Sequence, residues 1–241
     1  MPADEKPVPE TTRRSRGRPA IARVSPLELD EIVDVAMAIR AEVGLDALSM
    51  RRLADDLGVT HAALYRHVAN KAALVELMVH GVWSEIDGEV PAFDGDLLEW
   101  LVQVNLTIRR VWLNYPDLFH LAASVPRADE RFWHYVTLTS GVLEACGFPD
   151  VALAHWGIQT LGFGSISATA DRERSSKYFG RDMQSHRRDV FAFLEEQGAT
   201  PSQVAFAEVR FGIDDDTRFE AALRCMIAGL LTMSGDVTTD P

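Results

Sequence analysis

Apolar residues recur at helical spacing along almost the whole of this chain, and alternating strand patterns are absent. Leu29, Ile32, Val33, Ala36, Ile39 and Val43 line one face of a first helix, which Gly44 ends. Ser25, Pro26 and Glu28 can open it, with Ser and Glu in capping-box spacing and Pro at the first helical position. Leu53, Ala54 and Leu57 mark a short second helix, capped by Ser49 and stopped at Gly58, a residue suited to the left-handed position after a helix. Thr60 can cap a third, from His61 to His67, whose Leu64 and Val68 point back to the core. A fourth runs from Asn70 to about Ile86 through Leu74, Leu77, Met78 and Val82. Beyond Pro91 the candidate helices are 95–115, 116–124, 127–146, 149–172, 183–197, 201–209 and 214–234, separated by prolines and glycines, while 175–180 reads as a loop. The pattern predicts an all-α protein.

The most informative stretch is Ser49 to Lys71. Two short helices joined by a tight Gly-containing turn make a helix-turn-helix, in which the second helix lies in the DNA major groove. With Leu64 and Val68 turned inward, His61, Ala62, Ala63, Tyr65, Arg66 and His67 face away from the core or border it. Small residues at Ala62 and Ala63 let the backbone approach base edges, where a methyl can meet a thymine methyl. Tyr65 has a hydroxyl for phosphate oxygens. Lys71, just after the Asn70 cap, adds a point charge near the positive end of the next helix. Taken singly, Tyr65 and His67 could equally be packing residues; as a set these side chains favour DNA.

The run LADDLGVTHAALYRHVANKAALVELM resembles the DNA-binding domain of the TetR family of bacterial repressors. It has that family's Leu-Tyr-x-His-Val-x-x-Lys signature at Leu64, Tyr65, His67, Val68 and Lys71. The resemblance spans residues 25 to 80, approximately. It implies that Arg51, Tyr65, His67 and Lys71 contact backbone or bases, and that His61, Ala62 and Ala63 read bases. Thr60 and Arg66, on the same short helix, complete the expected DNA-binding set. It further implies a fourth helix that acts as a pendulum and an all-helical C-terminal domain. His61 and Ala62 stand where family members differ, so the operator sequence does not transfer.

Composition sharpens this picture. With 241 residues, 47% apolar, and a mean hydropathy of -0.04, the chain reads as soluble and globular. No apolar leader opens it, so no signal peptide and a cytoplasmic location are expected. The longest uncharged run, 151–170, contains His155, Gln159, Thr160, two serines and three glycines, which suits a buried helix rather than a bilayer span. The net charge of -12 is concentrated downstream, where residues 81–241 carry 24 acidic against 13 basic groups, while 11–80 carry ten basic against nine acidic. Residues 1–23 are expected to be a disordered basic arm, 24–72 the helix-turn-helix domain, and 73–241 a helical effector-binding and dimerisation domain. Within the arm, Arg16 and Arg18 of the Arg-Gly-Arg-Pro core are candidates for minor-groove insertion, or for a basic tail that adds nonspecific affinity only. Cys146 and Cys225 suit a reducing compartment and have no metal-ligand spacing; each reads as a buried small hydrophobe or, less directly, a redox thiol.

Two downstream helices suggest a homodimer. Gly157, Leu161, Gly164 and Ala168 form a stripe of mostly small residues, and Phe219, Leu223, Met226 and Leu230 lie on a broad apolar face; ordinary intrachain core is the alternative. Paired reading heads about 34 to 36 Å apart would match a palindromic operator in double-stranded DNA. Polar residues on core-facing stripes suggest a pocket for a small-molecule effector, lined by Asn105, Arg109, Trp112, His120, Tyr135, Thr139, Trp156, Gln159 and Phe163, although each alone could be a satisfied core residue. HLAASVP resembles the stretch where drug-sensing members of the family place a metal-binding histidine. The spacing to the proline differs, and Thr169 and Ala170 stand where an acidic partner is wanted, so no metal is expected; nor is a cofactor. No G-x-S-x-G, P-loop or H-E-x-x-H motif is present, so no catalysis is expected. The reading is a repressor released from its operator by a ligand. An effector-independent architectural DNA binder, or a regulator controlled by a protein partner, is the alternative.

Overall fold

The computed structural model describes residues 26–122, 130–148, 150–180 and 182–235. Among them the only regular elements are α-helices, in two compact units divided between Lys71 and Ala72.

In the first unit, α1 (Leu29–Val43) buries Ile32, Ala36 and Ile39, spaced so that one face turns inward, and each of the two isoleucines contributes roughly 1.5–3 kcal/mol. The helix does not start as the capping-box pattern suggests. Glu28 is its N-cap in an extended conformation with no side-chain cap bond, Pro26 and Leu27 are not helical, and Ser25 lies outside the described residues. Leu29 and Val43, at the two ends of the stripe, are exposed. The second helix, α2 (Met50–Asp56), packs on α1 and on α3 (His61–Tyr65). Ser49 Oγ accepts from the Arg52 N–H at 3.2 Å, and Thr60 Oγ1 accepts from the Ala63 N–H at 3.2 Å, so each short helix has a partnered first turn. Between them Gly58 has φ 66°, a left-handed conformation, and the following N–H of Val59 returns to the Ala54 carbonyl at 3.0 Å.

A fourth helix, α4 (Lys71–Glu89), begins at the last residue of the first unit. The second unit continues with α5 (Leu97–Leu113), α6 (Pro116–Ala122), α7 (Glu130–Ala145), α8 (Val151–Phe179), α9 (Met183–Glu196), α10 (Pro201–Phe211) and α11 (Asp215–Gly235). Its centre is α8, against which α5, α6, α7 and α11 all pack. The expectation of a loop over 175–180 is wrong, because α8 continues to Phe179. The stretch from Glu173 to Phe179 holds no glycine or proline, Arg174 pairs with Asp171 one turn back, and the first residue able to stop the helix is Gly180, at φ 62°. The α9 and α10 helices pack on each other as a hairpin; α10 opens with a full capping box between Thr200 and Gln203, and α9 buries none of its residues. Cys146 and Cys225 are both exposed, not buried as their residue type suggests. No described helix is long and apolar enough to cross a membrane.

Candidate functional site

The outward face of the helix-turn-helix is polar and open. Leu64 and Val68 are buried, while His61, Ala62, Arg66 and His67 are exposed, Ala63 is half-buried and the Tyr65 ring is 49% exposed, edge-on to His61. A helix that turns two small residues, two imidazoles, a phenol and a guanidinium to solvent leaves base-edge and phosphate contacts free to form. Arg51 is exposed, with Asp55 at 3.9 Å, a pair that solvent screens. Arg52 is committed to the scaffold, bridging Glu42 of α1 at 2.5 Å and Asp56 at 3.6 Å. Lys71 differs from the expected free point charge. Its Nζ donates to the carbonyls of Leu45 at 2.8 Å and Asp46 at 3.4 Å, so the ammonium fastens the α1–α2 loop to the start of α4 and has one donor left over. Arg16 and Arg18 lie outside the described residues.

In the second unit, four of the nine expected effector contacts meet. Asn105, Tyr135, Gln159 and Phe163 line a small cavity of about 10 Å3, room for about one water, together with Trp83, Ile108, Gly162 and Ile166. Trp83 stacks on Tyr135 with ring centroids 5.9 Å apart and meets Trp112 edge-on at 5.6 Å. Sequence reasoning missed Trp83, although it continues the buried stripe Val79, Val82 and Ile86 of α4. It also missed His155, which precedes Gln159 by one helical turn and whose Nδ1 lies 3.0 Å from Thr139 Oγ1. The Thr139 hydroxyl also reaches the Tyr135 carbonyl at 2.9 Å; in the tautomer where it donates there, His155 Nδ1 carries the hydrogen toward Thr139 and Nε2 is a bare acceptor. Burial lowers the His155 pKa and pushes the Tyr135 hydroxyl above the ordinary phenol range, so both are neutral near pH 7. Five buried polar atoms have no hydrogen-bond partner among the described residues: Arg109 Nη1, Trp112 Nε1, His155 Nε2, Gln159 Nε2 and Arg210 Nη1. Asn105 Nδ2 is satisfied by the Leu101 carbonyl.

Other expected contacts lie elsewhere. Trp156 is 61% exposed, because the buried positions Ala154, Ile158, Gly162 and Ile166 set the inward phase of α8 and residue 156 falls well round from it. His120 is exposed, 3.9 Å from Asp171. Arg109 is a buried tie, not a cavity wall: Nε donates to Asp216 at 3.0 Å, a terminal nitrogen donates to Thr169 at 3.1 Å, and the guanidinium lies 5.5 Å from the Phe219 ring centre. The expected dimer stripe is also divided. Phe219 and Leu223 are buried within their own chain, and a Cβ on Gly157 would meet Met226 Sδ at 3.8 Å, so this part of α11 packs on α8 of the same chain. Leu161, Met226 and Leu230 are half-buried; Gly164 and Ala168 are exposed.

Comparison with known proteins agrees with both units. Residues 32–78 match the family model described as bacterial regulatory proteins, tetR family, and residues 91–234 match the tetracyclin repressor-like C-terminal domain. A transcriptional regulator of helix-turn-helix type from Saccharopolyspora erythraea is 26% identical over 92% of this chain and 90% of its own. The class C tetracycline repressor of Escherichia coli is 30% identical over 86% of this chain and 92% of its own. The crystal structure of the Streptomyces coelicolor TetR family protein ActR in complex with actinorhodin superposes with a TM-score of 0.74 at 29% identity, covering 89% of this chain and all of that one. This chain belongs to the TetR family and is a helix-turn-helix transcriptional regulator.

Proposed function

We propose that the protein is a homodimeric repressor that leaves a palindromic operator when a small aromatic effector enters the cavity between α4, α5, α7 and α8. The observation that carries this reading is the orphaned Gln159 Nε2 in the wall of an aromatic-lined cavity, with two further orphaned atoms, Trp112 Nε1 and His155 Nε2, on rings that pack against Trp83 and Tyr135 of that wall. A buried polar group without a partner is costly unless something arrives to satisfy it. Gln159 Nε2 and Trp112 Nε1 are donors, and His155 Nε2 is an acceptor when Nδ1 carries the hydrogen. The fitting ligand is therefore a planar ring system with carbonyl oxygens and at least one hydroxyl, packed against Trp83, Tyr135 and Phe163. That ActR was crystallised with actinorhodin supports an organic effector in this class of domain.

The DNA side rests on α3, with His61, Ala62 and Ala63 as base readers and Thr60, Tyr65, Arg66, His67 and Arg51 toward the backbone. Two copies joined through the exposed apolar face of α8, where Leu153, Trp156 and Gly164 lie, and of α11, where Leu231 lies, would place two reading heads on successive major grooves. Linkage then supplies the switch: an effector that binds more tightly to a form unsuited to two half-sites releases DNA by the same free energy, about 1 to 3 kcal/mol or roughly 5- to 150-fold.

Fluorescence anisotropy on DNA adjoining the protein's own coding region, against scrambled DNA at equal salt, tests the reading. Specific binding lost in Tyr65→Ala, and reversed by a hydroxylated aromatic ketone in the wild type but not in Gln159→Leu, is the expected result. A ligand that raises the thermal midpoint while leaving operator affinity unchanged would sink it.

A further inference from the structure

The second unit holds another, larger concavity that shares no wall with the central cavity. A cleft of about 760 Å3 lies between the last three turns of α8, the first turn of α9 and the end of α10. Its volume falls in the range of organic-ligand pockets, about 300–1,000 Å3. Its lining mixes apolar side chains, Phe179, Met183 and Phe211, with Arg172, Arg210 and His186.

The guanidiniums beside this cleft outnumber the carboxylates that they bond. Arg172 donates to Asp215 and Thr169, Arg218 to the same Asp215, and Arg109 to Asp216, so these three guanidiniums with Arg210 share two carboxylates. Burial, and then the nearby charges of Arg210, Arg218 and Arg109, bring the Arg172 pKa down to about 10. The acids on the cleft wall do not relieve it. Asp171 is drawn to Arg174 at 3.3 Å, and Asp182 accepts from the Ser185 N–H at 2.6 Å as the N-cap of α9. Arg210 is left poorly served: its guanidinium lies 5.0 Å from the Phe211 ring centre, and Nη1 is sealed from solvent with no hydrogen-bond partner among the described residues. An anion in the cleft would meet the accessible part of this guanidinium and supply the missing charge; Nη1 itself faces away from solvent.

We propose that this cleft is a second ligand site for an amphipathic organic anion, with an aromatic or acyl body on Phe179, Met183 and Phe211 and a carboxylate or sulfonate head on Arg210, backed by Arg172. The site is independent of the effector reading given above. An anion here also draws on Arg172, whose other bonds tie α8 to the first turn of α11.

The probe is 8-anilinonaphthalene-1-sulfonate, titrated by its fluorescence into the full-length protein beside the neutral N-phenyl-1-naphthylamine. Expected are saturable sulfonate binding, weakened about tenfold or more in Arg210→Gln, and unchanged binding of the neutral probe. Because Arg210→Gln can disturb α10, Ser175→Asp is the second variant: it places a like charge on an exposed turn of α8 at the cleft and is expected to weaken the sulfonate alone. Sulfonate affinity at the wild-type level in Ser175→Asp overturns the proposal. So does loss of sulfonate binding in Gln159→Leu with none in Ser175→Asp, which assigns the probe to the central cavity. Equal affinity for both probes, with neither variant distinguishing them, makes the cleft an apolar surface only and overturns it too.

Discussion

His155 is held between the Tyr135 ring, 5.6 Å away, and the Thr139 hydroxyl, and burial lowers its pKa from 6.5. The unfolded chain therefore binds a proton at that histidine that the folded chain refuses, in the window below 6.5 and above the folded value. Stability rises with pH across that window, is fully present above 6.5 and is lost as the pH falls through it. His155→Gln keeps a hydrogen-bonding side chain without the titration, so its thermal midpoint should fall less than that of the wild type between about pH 6.5 and 5. Lys71 makes the second argument at this scale. Two of its three donors are spent on the α1–α2 loop, so Lys71→Ala should cost about 1–2 kcal/mol of stability, read from denaturant melts, in addition to weakening DNA binding. Lys71→Arg should recover less than full stability, because a planar fork does not reproduce the ammonium geometry. A loss of affinity with no change in the melt would mean that the lysine serves phosphate alone.

Among the elements, the short helices were the most legible, since everything that makes them is local. Ser49, Gly58 and Thr60 act within three or four residues of themselves, and Leu53, Ala54, Leu57, Leu64 and Val68 reach the core by spacing alone. Gly58→Val forces a β-branched residue to φ 66° and should cost about 1–2 kcal/mol or more, with DNA affinity falling as the α2–α3 angle is lost; calorimetry and anisotropy read the two effects separately. The α8 helix was less legible for two physical reasons. Its polar last two turns carry no apolar rhythm, and its inward phase is set by α5, α7 and α11 rather than by its own sequence, which is why Trp156 faces out while Gln159 faces in. The cleft beside Arg210 could not be read at all, because its walls come from three helices whose approach no local pattern encodes.

For the whole molecule, one carboxylate joins distant parts of the chain. Asp215, at the start of α11, accepts from Thr169 and Arg172 of α8 and from Arg218, while Arg109 of α5 reaches the same cluster through Thr169. Asp215→Ala should destabilise the second unit by about 2–4 kcal/mol, since it leaves two half-buried cations, Arg172 and Arg218, without their carboxylate, and a chemical melt should show the loss. The outward faces of α8 and α11 set a separate expectation. Trp156→Asp should shift the protein toward monomer in sedimentation and cut operator affinity, while leaving the melt of the first unit unaltered. The central cavity, finally, constrains timing as well as affinity. At about 10 Å3 it admits no molecule of effector size, so Trp83, Tyr135 and Phe163 must part before a ligand can lodge. If the parted form is about one molecule in a hundred, the apparent affinity is roughly 100-fold below the intrinsic one. Association is then about 100-fold slower than an open pocket would allow when the rings part quickly, and is limited by how often they part when they do not. Such a regulator would ignore brief pulses of its ligand and respond to sustained exposure.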